Sequence, residues 1–210
     1  MGANPELNAL QKEVTRQRIL ETGFRVFAEQ TIDKVTMQEV ADAAGIGVAT
    51  VYRYYSTKPA LVLGVNGWIW EQYLPGMLRA EQTEGVTAAE RFEYYLDIFL
   101  DLYRNHKDML RFNQFFNIYI EHEDVSGDGM QLYRSMAWKV AERFHEIYVL
   151  GQQDGTLRTD VPEQEMFFAT LHLMLAAAAR YAVGLAFDGG LDPEAELLLL
   201  KNMLLKEYKI

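Results

Sequence analysis

Three tyrosines and two cations fall within eight residues, Val51-Tyr52-Arg53-Tyr54-Tyr55-Ser56-Thr57-Lys58, in the first third of a 210-residue chain. Their hydroxyl, guanidinium and ammonium groups donate hydrogen bonds, and two carry positive charge, so together they suit anionic oxygens such as phosphate. Thr50 and the amides of a helix start add donors of the same kind. Arg53 has the reach for a phosphate or for a guanine edge in a major groove. Tyr52 and Tyr55 are equally open to being core aromatics with wet hydroxyls, and for Tyr55 that reading is favoured.

The elements that must position this group are legible just upstream. Thr36-Met37-Gln38-Glu39 has the form of a capping box, in which the threonine hydroxyl meets the third amide and the glutamate reaches back. It opens a helix whose Val40, Ala41 and Ala44 face inward, and Gly45 stops it by accepting a left-handed turn. Gly47 to Tyr55 then forms a second short helix. Helix, tight glycine turn and helix make a helix-turn-helix, a form that also occurs in ordinary helical hairpins. Upstream, Leu20, Gly23, Phe24, Phe27 and Ala28 form one apolar helical stripe.

Charge is divided unevenly. The chain carries −10 with a pI near 4.9, which taken whole argues against a nucleic-acid partner. Residues 1–60, however, hold seven Lys/Arg and seven Asp/Glu, against thirteen and twenty-three in the rest. The acidic excess lies outside the helix-turn-helix, leaving that part free to present a locally basic surface. With 50% hydrophobic and 12% aromatic residues a real core is expected and general disorder is excluded. The absence of cysteine removes disulfides, thiolate metal sites and a cysteine nucleophile, and fits a cytoplasmic location. Met1 to Gln11 lacks the pattern of a signal peptide. Leu171 to Phe187 is short for a membrane span and carries His172 and Arg180, so it reads as a buried helix.

Helical periodicity recurs at about 36–44, 48–55, 58–80, 87–104, 108–122, 130–153, 162–187 and 192–208. Glycine-rich clusters separate the later segments: Ser126-Gly127-Asp128-Gly129, Gly151 through Gly155, and Asp188-Gly189-Gly190. Asp160-Val161-Pro162 and Asp192-Pro193-Glu194 read as helix starts with proline in the first turn. The predicted fold is all-α with about nine helices: an N-terminal helix-turn-helix unit in 1–60 and a C-terminal helical bundle in 61–210. The helix opening at Thr57 or Lys58 links the two and should bend or end near Pro75.

The run Thr36-x-x-Glu39-Val40-Ala41-x-x-Ala44-Gly45-Ile46-Gly47-Val48-Ala49-Thr50-Val51-Tyr52-Arg53-Tyr54-Tyr55-x-x-Lys58-x-x-Leu61 resembles the DNA-binding signature of the TetR family of transcriptional regulators. Ile19-Leu20-x-x-Gly23-x-x-x-Phe27 is similar to that family's first helix, and Gly151-x-x-x-Gly155-Thr156-Leu157-Arg158-x-Asp160 to the loop before its eighth. The resemblance implies a homodimer whose paired third helices enter successive major grooves of a palindromic operator. It assigns contacts to Thr36, Gly47, Val48, Ala49, Thr50, Tyr52, Arg53, Tyr54 and Lys58. Thr36, Tyr52 and Lys58 would mainly hold phosphate; Val48, Ala49, Thr50, Arg53 and Tyr54 would face bases. Three departures stand out: Thr31 where the family has glycine, Pro59 for the glutamate after Lys58, and Val48 at a position often polar.

Residues 92–148 are rich in aromatic and methionine side chains, including Phe92, Tyr95, Phe112, Met130, Met136 and Phe144, which suits either an ordinary core or a cavity for an apolar molecule. The resemblance implies an effector there, with Phe99, Met109, Phe116, Trp138, Phe168 and His172 as expected lining. His172 reads more simply as a satisfied core residue. His106, His122 and His145 have no metal-ligand spacing, and Glu121-His122-Glu123-Asp124 is a solvated helix end, so neither metal nor cofactor is expected. No phosphate loop, nucleophile elbow or paired-acid motif points to an enzyme. The small-residue face Ala176 to Ala179 and the greasy run Leu197 to Leu200 with Met203 and Leu204 call for a second subunit, making 162–187 and 192–208 a four-helix dimer interface. The expected function is a ligand-responsive repressor, released from its operator by a small hydrophobic or aromatic effector. The alternatives are an all-α small-molecule-binding protein, or a protein-interaction adaptor, neither of which binds DNA.

Overall fold

The computed structural model describes residues 5–79, 85–123, 128–186 and 189–210. Asp124, Ser126, Gly127, Phe187, Asp188 and the first four residues lie outside these, as do the side chains of Pro75, Met130 and Met136. Within them the chain forms α1 (Pro5–Glu29), a 3-10 turn (Ile32–Lys34), α2 (Met37–Ala44), α3 (Val48–Tyr54), α4 (Lys58–Arg79), α5 (Ala88–Asn105), α6 (Lys107–His122), α7 (Asp128–Asp154), α8 (Glu163–Ala182) and α9 (Pro193–Tyr208). The sole extended pairing among the described residues is an isolated antiparallel bridge between Leu157 and Lys209.

Local signals account for most boundaries. Asp192 caps α9 by accepting from the Glu194 and Ala195 amides, with Pro193 at the first position. At α8, Pro162 takes the cap position itself instead of entering the first turn. That helix stops at Ala182, short of the expected 187: Gly184 adopts φ +82, and the Leu185 amide turns back to the Arg180 carbonyl at 3.1 Å. At Pro75 the helix does not end, since α4 continues through it to Arg79.

These helices form two compact units, and neither is one continuous stretch of chain. The first takes Met1–Glu71 with Phe112–Tyr133, the second Gln72–Arg111 with Arg134–Ile210. The division therefore departs from the expected one after residue 60. The short helices α2 and α3 bury few side chains, and the first core is completed by Leu61, Val62, Val65 and Ile69 of α4 and Phe112, Phe116 and Tyr119 of α6. There Phe24 lies 5.9 Å from both Trp68 and Phe112, and Gly23 lets Val65 approach to 3.0 Å of where a Cβ would stand.

In the second unit, α5, α8 and α9 pack together around interlocked rings. Phe144 meets Phe92, Tyr95 and Phe167 at centroid distances of 6.2, 5.6 and 5.3 Å. The start of α5 has a capping box of its own at Thr87 and Glu90. The loop after α7 adds to it: Asp154 accepts from the Ala88 amide at 2.7 Å and Thr156 from Ala89 at 3.1 Å. Lys201, nearly buried on α9, is neutralised by Asp97 at 2.6 Å and Glu93 at 3.2 Å on α5.

Candidate nucleic-acid interface

The capping box forms as read. Thr36 Oγ1 accepts from the Glu39 amide at 3.2 Å, and the Glu39 carboxylate receives the Thr36 amide at 2.7 Å and its hydroxyl at 2.8 Å. Those donors hold the Glu39 carboxyl below the usual carboxylate range. The Thr36 hydroxyl proton is thus already committed within the protein. Gly45 takes φ +65 and ψ +36 at the end of α2, a region costly to a side chain with a Cβ. Ile46 then bonds back to the Ala41 carbonyl at 3.0 Å. The Thr31 position needs no glycine, since its φ is −62 and the chain passes directly into the 3-10 turn.

Gly47 is the cap of α3, and Val51 alone on that seven-residue helix is fully buried. Ala49, Tyr52 and Arg53 are exposed, while Val48, Thr50 and Tyr54 are half-buried. Six of the expected base- and phosphate-facing residues are thereby gathered on one short helix. The Arg53 guanidinium lies 5.8 Å from the Tyr54 ring centroid, which orders a planar donor without using its hydrogen bonds.

Two members of the tyrosine-rich run face the protein instead. The Tyr55 ring packs on α4 at Gly64, where a Cβ would lie 2.6 Å from Tyr55 Cε1. Its hydroxyl bonds Arg16 of α1, and burial pushes its pKa up. Arg16 is itself gripped by both Glu13 oxygens. Tyr55 is a structural anchor, as the favoured reading had it. Gly64→Val should place a branched side chain against that ring and destabilise the protein by about 2 kcal/mol, despite valine's better helix propensity. Urea unfolding measures this, and a neutral result would mean the ring moves aside freely.

Lys58 is the second. Its ammonium donates to the Asp33 carbonyl at 3.0 Å and sits 5.4 Å from the Tyr119 ring centroid. Partial burial lowers its pKa, an effect opposed by Asp33, Glu123 and Glu39. The expected phosphate ligand is therefore engaged inside the fold. Sequence reasoning missed the carbonyl and the ring because neither has a local signal: one is a backbone group, the other lies on α6.

The six expected effector residues do not line one cavity. Phe116 is fully buried in the first unit, stacked on Phe112 at 5.8 Å. Phe99 and Met109 are buried in the second, whereas Trp138 is 70% exposed and Phe168 49% exposed. His172 is also exposed, corrected from a core residue, and stacks on Phe168 at 5.7 Å. Of the six, it alone lines the open cavity of about 410 Å³ that lies along α8 and α9, with Leu173, Arg180, Leu191 and Leu200 among its walls. Among the described residues no acidic, histidine or cysteine cluster could hold a metal ion.

An all-helical body bearing a capped helix, a left-handed glycine turn and an exposed short helix defines a helix-turn-helix protein. Residues 19–65 match the family described as bacterial regulatory proteins, tetR family. The match places the helix-turn-helix region of the chain in that family. It is 22% identical to the HTH-type transcriptional regulator YerO of Bacillus subtilis (strain 168), over 86% of this chain and 59% of that protein. It is 28% identical to a probable acrEF/envCD operon repressor of Escherichia coli (strain K12), over 34% of this chain and 32% of the relative. The chain thus spans less than two thirds of the length of these relatives, which are regulators and not enzymes. Among solved structures it resembles the transcriptional regulator FadR from Bacillus subtilis, determined in complex with stearoyl-CoA. That likeness has a TM-score of 0.71 and 15% identity, covering 90% of this chain and 97% of that one, and it concerns the fold.

Proposed function

We propose that the chain is a ligand-responsive, DNA-binding transcriptional regulator of the cytoplasm, acting as a homodimeric repressor on a palindromic operator. The observation that carries this reading is α3, held at its base by Val51 while Ala49, Tyr52 and Arg53 face outward. Such a helix fits a major groove, with Arg53 suited to a guanine edge, Val48 and Ala49 to a thymine methyl, and Thr50 and Tyr54 to neighbouring bases. The Tyr52 hydroxyl, with the backbone around Thr36 and Gly47, suits phosphate. Two such helices must stand one helical turn apart, roughly 34–36 Å.

The partner in this reading is a second copy. On α8, Phe168, His172, Leu173 and Ala176 are exposed along one helical face, and on α9, Leu198, Leu199 and Met203 are. Apolar stripes left uncovered on two adjacent helices suit a four-helix interface of two chains. No helix among the described residues is long and apolar enough to cross a membrane.

A small hydrophobic or aromatic effector, held among the rings of the second unit, would release the operator. The acyl ligand of the Bacillus subtilis FadR structure is of that apolar class. The route from effector to DNA is α4, one helix whose Lys58–Arg79 span runs from the first unit into the second. Pro75 lacks the amide that would bond the Glu71 carbonyl, so the helix is weakest next to the boundary between the units. An effector shifts the DNA-competent population only as far as its affinity differs between the two states.

The test uses a duplex selected by the wild-type protein from a random-sequence pool, with binding followed by fluorescence anisotropy. Arg53→Ala should weaken binding by about 1–3 kcal/mol and relax sequence preference at one base position in each half-site. Undiminished binding and preference would remove Arg53 from the reading surface, and failure to select any duplex would overturn the regulator reading.

A further inference from the structure

Lys58 stands at the position where the family resemblance places a phosphate ligand, yet its surroundings are anionic. Its ammonium already donates to the Asp33 carbonyl at 3.0 Å. It lies 5.4 Å from the centroid of the Tyr119 ring, a favourable cation–π distance. Tyr119 is 2% exposed, and its hydroxyl bonds Glu123, so the ring is fixed from both sides. The carboxylates of Asp33, Glu123 and Glu39 all act on the ammonium. A phosphodiester reaching Lys58 here would meet three like charges, and would compete with the ring and the carbonyl for the ammonium's three donors.

What the lysine holds in place is as informative as what surrounds it. Only Val51 of α3 is buried, so the tilt of that helix is set mainly at its ends. At the leading end the Gly45–Ile46 turn ties α3 to α2 through the Ala41 carbonyl. At the trailing end the Tyr55 ring rests on Gly64, and three residues later Lys58 clasps the 3-10 turn and the last turns of α6. We propose, resting on the DNA-binding reading above, that Lys58 is a positioning residue for α3 and not a ligand of the DNA backbone. Its ammonium braces the start of α4 against Asp33 and Tyr119 and keeps the reading helix at its working angle.

A brace and a phosphate ligand differ in salt dependence. Each phosphate contact releases condensed counterions and contributes about one unit to the slope of log affinity against log salt, whereas a brace contributes none. Lys58→Met keeps the alkyl stem and removes the charge. With the pool-selected duplex, it should weaken binding about tenfold at every salt concentration and leave the slope unchanged. A slope reduced by about one, or wild-type affinity, overturns the proposal. The second readout needs no loss of function: in protein carrying ¹³Cε-lysine, the Lys58 resonance, assigned by its absence in Lys58→Met, should lie upfield of the other lysines under the Tyr119 ring current. It should stay there when the duplex is added; movement to the range of exposed lysines would show the ammonium turning to phosphate. Arg53→Ala and Tyr52→Phe separate the two levels of the argument. If they weaken binding while Lys58→Met does not, only the brace fails. If neither does, or no duplex is selected, the DNA-binding reading fails with it.

Discussion

A Leu199→Glu, Met203→Glu double variant is expected to sediment as a monomer at micromolar concentration, where the wild-type chain should show twice the chain mass of 24.2 kDa. Leu199 and Met203 are 49% and 56% exposed and one helical turn apart on α9, next to Leu198 at 37%. In a two-fold symmetric interface each substitution occurs twice, so two changes bring four carboxylates into one apolar contact. Water solvates those charges readily in the free protomer, and a closed interface does not. The same variant should bind the palindromic duplex at least a hundredfold more weakly, because loss of the second half-site removes the avidity of a linked pair. Far-UV circular dichroism should stay helical, since neither side chain belongs to the protomer's own core. A dimer mass that survives the substitutions would place the interface elsewhere.

The second large effect concerns the protomer itself. Phe144→Ala should destabilise the protein by about 3–5 kcal/mol, the usual range for removing a buried ring whose neighbours cannot close the gap. Phe144 is fully buried and meets Phe92 on α5, Tyr95 on α5 and Phe167 on α8. Its loss therefore breaks two edge-to-face pairs to α5 and a tilted ring contact to α8, as well as leaving a void. Urea unfolding at matched protein concentration measures it. A loss under about 1 kcal/mol would show that the surrounding helices collapse into the space, in which case this part of the second unit is far softer than its packing implies.

The effector expectations show where reading a sequence stops short. Phe167 and Phe168 are neighbours of the same type, and one is 9% exposed while the other is 49% exposed. Helical spacing places them on different faces but does not tell which face meets the protomer's own core and which is left exposed. His172 failed as a core residue for the same reason. The division after residue 60 failed because the first unit borrows Phe112, Phe116 and Tyr119 from α6, a debt that no composition change marks.

Helix starts and stops, by contrast, depend on hydrogen bonds within four residues, and Thr36, Gly45, Thr87 and Asp192 carry them in their own side chains or in the lack of one. The helix-turn-helix and the residues on α3 follow from such local rules, so the amino-acid sequence sufficed to determine them. The partner of Lys58, the seat of Tyr55 and the exposure of α8 and α9 were decided only in the tertiary structure. Each depends on which distant helix arrives opposite a side chain, and that is settled by the packing of the whole core and not by any interval along the chain.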